Sequence, residues 1–132
     1  SSSSSSSQKI YYPSSNGPFF DIAVVDEAAQ ALEVATWAAL LKAPRAVLAG
    51  DHLQLPPTVT SEAAAKGGLS RTLFERAMHV YGSRRSEMLT VQYRMNEKIM
   101  KWSSDEMYCG RLQAHASVAG HTLESLLAGE RE

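Results

Sequence analysis

Two short apolar runs in this chain each end in acid. Phe19–Phe20–Asp21–Ile22–Ala23–Val24–Val25 leads into Asp26–Glu27, and Arg45–Ala46–Val47–Leu48–Ala49 leads into Gly50–Asp51. Where such runs are parallel strands, ligands sit outside their carboxyl ends, so acids placed there share a crevice. Adjacent Asp26 and Glu27 face opposite ways in extended geometry and need not share a task. One could hold a hydrated Mg²⁺, which takes a few hard carboxylate ligands, while the other orients or deprotonates a water. The plainer alternative is that Asp26 caps a following helix and Glu27 sits in its first turn. Three residues past Asp51 comes Gln54, in a loop stiffened by Pro56 and Pro57 and followed by Thr58. Its carboxamide can bond both a phosphate oxygen and a water, though an ordinary proline-rich turn would read the same way. A third group, Gln92–Tyr93–Arg94–Met95, combines a planar guanidinium suited to phosphate with a phenol ring able to stack on a base. Alone, it could equally be a surface arginine beside a core-edge tyrosine.

These residues need elements to position them. The first run, apolar without clean alternation, predicts a strand covered on both faces. Residues 28–42, rich in Ala and Leu and free of Gly and Pro, predict a helix that Pro44 stops. With the second run as a strand, this is a βαβ unit. Residues 61–66 predict a short helix broken at Gly67–Gly68, and residues 69–80 a helix with Leu69, Leu73, Ala77 and Val80 on one face. Residues 88–91 suggest a strand, and Asn96 a cap for a helix to about Tyr108 with Met95, Ile99 and Trp102 on one side. Beyond Gly110 the pattern is weak.

With 132 residues the chain suits one domain's worth of core. A formal net charge of −1 excludes a histone-like protein or a polybasic membrane arm, but not a local basic groove. No apolar run approaches the ~20 residues of a membrane helix, and no signal peptide is visible, so an intracellular setting is expected. The single cysteine, Cys109, closes no disulfide within the chain and is expected to be buried. His52, His79, His115 and His121 lack metal-ligand spacing. Trp37 and Trp102 are read as packing residues.

In order and spacing, residues 24–33 (Val-Val-Asp-Glu-Ala-Ala-Gln-Ala-Leu-Glu), 48–58 (Leu-Ala-Gly-Asp-His-Leu-Gln-Leu-Pro-Pro-Thr) and 89–95 (Leu-Thr-Val-Gln-Tyr-Arg-Met) resemble helicase motifs II, III and IV. The family is the superfamily-one helicases of the DNA2/NAM7 type, in the branch of the nonsense-mediated-decay and immunoglobulin-mu-binding helicases. The likeness runs from Phe20 to about Ala119. It implies an α/β fold: the later part of one RecA-like parallel-sheet domain of the P-loop NTPase type over 19–86, and the start of a second over 87–120. A disordered, low-complexity segment over 1–18 and a frayed end over 121–132 are expected to flank them.

The resemblance also implies roles. Asp26 would bind Mg²⁺ through water, Glu27 would activate the hydrolytic water, and Gln54 would sense the γ-phosphate of ATP in a loop shaped by Gly50 and Asp51. Arg94 would be an arginine finger, Tyr93 would stack near the adenine with Gln92 beside it, and Pro56, Pro57 and Thr58 would approach a single strand of RNA or DNA. A monomer is expected. Two departures stand out. No Gly-Lys-Ser/Thr phosphate-binding loop occurs in these 132 residues, and Asn96 replaces the histidine common after Tyr-Arg-Met. The chain by itself is therefore expected to be inactive. Two rival readings are a non-catalytic nucleic-acid- or partner-binding segment, using Arg71, Arg76, Arg84, Arg85 and Arg94 with Tyr81 and Tyr93, and a Mg²⁺-dependent phosphohydrolase.

Overall fold

The computed structural model describes residues 18–129, so the expectation of disorder over the N-terminal serines lies almost entirely outside it. The chain divides into two compact units between Arg85 and Ser86. Among the described residues no helix is long and apolar enough to cross a membrane.

The first unit is built on the expected parallel pair. Strand β1 (Ala23–Val25) lies beside β2 (Ala46–Leu48), with Ala23 opposite Ala46 and Val25 opposite Leu48. Both strands are shorter than their apolar runs, and neither is covered on both faces: Val24 and Val47 are exposed. The sheet has two strands among the described residues, so little packs on its outer surface.

Helix α1 spans Glu33–Leu40, not 28–42. Residues 26–30 form turns instead, because the Ala28 amide donates to Ala49 O at 2.8 Å. Leu32, just before α1, is extended at ψ 141°, so the helix cannot run back through it, whatever the alanine content of residues 28–31. The capping alternative fails with it. Asp26 bonds the very next amide, far from the helix start, and Glu33 is the acid in the first turn of α1.

After β2 the chain forms one turn of helix, α2 (Glu62–Ala64), which widens into a π-type turn over Ala65–Leu69 and breaks at Gly68, φ 95°. Helix α3 (Leu73–Tyr81) starts four residues later than its apolar pattern. Thr72 decides this: its hydroxyl accepts the Glu75 amide at 3.0 Å while the Glu75 carboxylate accepts the Thr72 amide, also at 3.0 Å. This reciprocal cap, with Thr72 fully buried, stabilises the start by about 1 kcal/mol. Helices α1 and α3 touch, and Glu33 joins them by pairing with Arg76 while accepting, within its own helix, from Trp37 Nε1 at 3.0 Å. The buried side chains here are small: Ala28, Ala29, Thr36, Ala43 and Thr72, with Leu73 the largest. Trp37, expected inside, is partly exposed because its indole N–H is spent on Glu33 at the surface.

The second unit repeats the strand–helix–strand theme. Strand β3 is only Val91–Gln92, helix α4 covers Glu97–Met107, and β4 (Gln113–Ala114) pairs parallel with β3, Gln92 opposite Ala114. Asn96 caps α4 as expected, its Oδ1 accepting the Lys98 amide at 2.7 Å. The face of α4 that turns inward is not the one expected. Met100 and Ser104 are buried, whereas Ile99 and Trp102 are exposed at 68% and 70%. The Ser104 hydroxyl accepts the Leu112 amide at 3.1 Å, which pulls that side of the helix toward the returning chain. Cys109 is exposed, not buried, at φ 55° in the turn that leaves α4. Two short helices follow: α5 (Ala116–Ala119), where the pattern is weak, and α6 (Leu123–Gly129), in the stretch expected to fray. Local caps account for α6: Thr122 Oγ1 accepts the Ser125 amide and Ser125 Oγ accepts the Thr122 amide.

Candidate functional site

In the first unit the segments after β1 and β2 are stitched together. Ala49 N donates to Val25 O at 2.8 Å, and Ala28 N donates back to Ala49 O at 2.8 Å. Asp26 and Glu27 occupy the turn between these bonds, both exposed. Asp26 Oδ1 accepts the Glu27 amide at 2.9 Å. Glu27 sits at φ 49°, a left-handed conformation uncommon for any residue but glycine and costing about 1–3 kcal/mol. The cross-strand bonds on either side hold it there. Its carboxylate accepts from Gln30 Nε2 at 3.0 Å.

Gly50 makes the close approach possible. A Cβ at this position would lie 2.8 Å from Ala29 N and 3.1 Å from Ala28 N, against backbone that cannot swing aside. Gly50→Ala should therefore drive the two segments apart, at an overpacking cost of about 1–3 kcal/mol. Thermal melting would show this as a lowered midpoint, and an unchanged midpoint would mean the segments separate freely.

Asp51 organises the loop that follows. Its Oδ1 accepts the Leu53 amide at 3.0 Å, and its Oδ2 accepts from Gln54 Nε2 at 2.8 Å. The Gln54 side chain is thus held beside an acid, its carboxamide oxygen pointing away from that bond. Pro57 is buried and anchors the loop, with Pro56 and Thr58 exposed on either side of it.

In the second unit, Gln92 builds the turn that carries Tyr93 and Arg94. Its Oε1 accepts the amides of Arg94 and Met95, each at 2.7 Å, and its Nε2 donates to Met95 O at 2.7 Å. With both ends of its carboxamide engaged by backbone, Gln92 positions its neighbours instead of reaching outward. Arg94 is exposed, and among the described residues no acid pairs with its guanidinium. Tyr93 lies against His115, ring centroids 4.4 Å apart.

Among the described residues no three His, Cys, Asp or Glu side chains gather as a metal cluster. A hydrated Mg²⁺ needs only one or two carboxylates, and Asp26, with no ion-pair partner among the described residues, has a free oxygen suited to it. Two residues that contact candidate residues, one within each unit, were not singled out from sequence. Gln30 had a signal, lying three residues after Glu27, a spacing that lets side chains meet across a turn. His115 had none, since strand β4, which delivers it, is two residues long.

Two family models, each described as an AAA domain, match residues 1–62 and 69–131. DNA-binding protein SMUBP-2 of Mesocricetus auratus is 55% identical over 120 residues, covering 86% of this chain. The chain belongs to the superfamily-one helicases of the DNA2/NAM7 type. An uncharacterised ATP-dependent helicase of Methanocaldococcus jannaschii is 43% identical over 111 residues, 84% of this chain. The DNA polymerase alpha-associated DNA helicase A of Saccharomyces cerevisiae is 40% identical over 124 residues, 89% of this chain. The chain spans only 12%, 16% and 18% of those three relatives. Membership in this helicase family implies a P-loop NTPase fold, with which the mixed helix and strand content and the small parallel sheets agree.

Proposed function

We propose that this chain carries the hydrolytic, phosphate-sensing and finger residues of an ATP-driven helicase that moves on single-stranded RNA or DNA, working as a monomer in the nucleus or cytoplasm. On this reading its units are parts of two RecA-like domains. The observation that carries the proposal is the pair of bonds from Ala49 to Val25 and Ala28, which holds the Asp26–Glu27 turn beside the start of the Gly50–Asp51 loop at the same ends of two parallel strands. A helix cap or a proline-rich turn needs no such joining, whereas a site that must couple a hydrolytic base to a phosphate-sensing amide does.

The chemistry follows from residue types. Glu27 accepts a proton from water as the water oxygen attacks the γ-phosphorus of ATP, and the bond to the ADP oxygen breaks with its electron pair. Asp26 would hold Mg²⁺ through water, and the ion would supply positive charge against the phosphates when bound. Gln54, fixed by Asp51, offers its free carboxamide oxygen to the attacking water or its N–H to the γ-phosphate. Arg94 balances charge that builds in the transition state. Tyr93 stacks on the adenine, and Pro56 and Thr58 border the nucleic-acid strand.

A basic patch fits less well as the main function. Arg76 is already paired with Glu33, which takes one of the patch's arginines out of an uncompensated face.

The experiment is phosphate release from ATP and Mg²⁺ by the 132-residue chain, with and without single-stranded nucleic acid. We expect the background rate in both cases, because no Gly-Lys-Ser/Thr loop is present to cradle the β- and γ-phosphates. Joined to such a loop in a full-length helicase, the same residues should support strand-stimulated turnover. Robust hydrolysis by the chain alone would contradict the proposed division of labour.

A further inference from the structure

Tyr93 is 65% exposed, yet its ring does not stand alone. The imidazole of His115 lies against it, centroids 4.4 Å apart and planes tilted by 31°. Nothing local in the sequence brings these residues together. Gln92 and Ala114 are register partners in the β3–β4 pair, so the next residue on each strand, Tyr93 and His115, emerges at the same end. The backbone locks this arrangement, since His115 N donates to Gln92 O at 2.9 Å.

The His115 ring is itself held. Its Nδ1 accepts the Ser117 amide at 3.2 Å and lies 2.8 Å from Ser117 Oγ. An Nδ1 that accepts an amide carries no proton, which assigns the ring proton of neutral imidazole to Nε2. The ring therefore has a set orientation before any ligand arrives. A tyrosine with one side backed by a fixed ring loses less rotamer freedom when something stacks on its open side.

We propose that His115 is a positioning residue for nucleotide binding, holding the Tyr93 ring in the orientation that stacks on the adenine of ATP. This rests on the reading of Tyr93 given above. An aromatic pair of this kind contributes about two- to tenfold in an equilibrium constant. That contribution acts on binding of the base, remote from the bond that breaks, so it belongs in KM and not in kcat.

Two substitutions separate the ring from the cap. His115→Asn keeps a side-chain acceptor for the α5 amide and removes the ring. His115→Phe keeps a ring and removes the acceptor. Steady-state ATPase in a full-length helicase carrying these residues is the measurement, with Tyr93→Ala run beside both. We expect His115→Asn to raise KM for ATP about two- to tenfold with little change in kcat, and His115→Phe to restore KM even where it lowers the melting temperature. If Tyr93→Ala raises KM and His115→Asn does not, His115 has no part in positioning and the Tyr93 reading stands. If Tyr93→Ala leaves KM unchanged, the adenine-stacking reading fails and takes this proposal with it. Equal rises for His115→Phe and His115→Asn would assign the effect to the cap and overturn the proposal.

Discussion

In a full-length helicase carrying these residues, Glu27→Gln should bind ATP normally and hydrolyse it about 10²- to 10⁴-fold more slowly, the usual range for loss of a general base. The amide matches the carboxylate in shape and removes only its ability to take a proton. The local structure should survive the change. Asp26 Oδ1 still accepts the residue 27 amide, the Ala28–Ala49 bond is untouched, and Gln30 Nε2 can donate to an amide oxygen as it does to the carboxylate. The left-handed backbone at position 27 is equally strained for either residue. Equilibrium binding of ATP and the rate of phosphate release, measured on the same preparation, separate the two effects. A hydrolysis rate close to that of the parent would remove Glu27 from the role of base.

Arg94→Ala should slow hydrolysis by about 10³-fold, the lower range for an arginine finger. Here too the surrounding structure argues for a clean loss of chemistry. Gln92 holds the turn by the amides of Arg94 and Met95 and by the Met95 carbonyl, none of which involves the guanidinium. Arg94→Lys should recover little, because an ammonium lacks the planar fork that meets two phosphate oxygens at once. The comparison of the two variants in single-turnover hydrolysis is informative. Full activity in Arg94→Lys would mean that charge alone suffices, and full activity in Arg94→Ala would show that Arg94 does not reach the reaction.

Gln92 illustrates how structure changes the meaning of a motif residue. Its place beside Tyr93 and Arg94 suggests contact with the nucleotide, but its carboxamide is already engaged by the backbone of the turn it belongs to. Pro57 is similar: its place in the Pro–Pro–Thr loop suggests a strand-facing residue, and its burial makes it the anchor for Pro56 and Thr58. In both cases the residue type was legible and its direction was not, since direction depends on partners several residues away.

The sequence by itself determined the family, the parallel βαβ unit at the start, the Asn96 cap and the residue types available for phosphate chemistry. These depend on local patterns: apolar runs ending in acid, a capping side chain, and the order of three motifs. Only the tertiary structure decided where the elements stop and which side chains meet. Helix α1 starts at Glu33 because Leu32 is extended and the turn before it is tied through Ala28 to Ala49 beyond the neighbouring strand. The inner face of α4 is set by Ser104 and its bond to Leu112, not by the apolar stripe of Ile99 and Trp102. Tyr93 meets His115 through a strand register that no run of residues encodes. In each case the physical reason is the same. A backbone amide or a ring is satisfied by a partner distant in sequence, and that bond overrides the propensity of the residues around it.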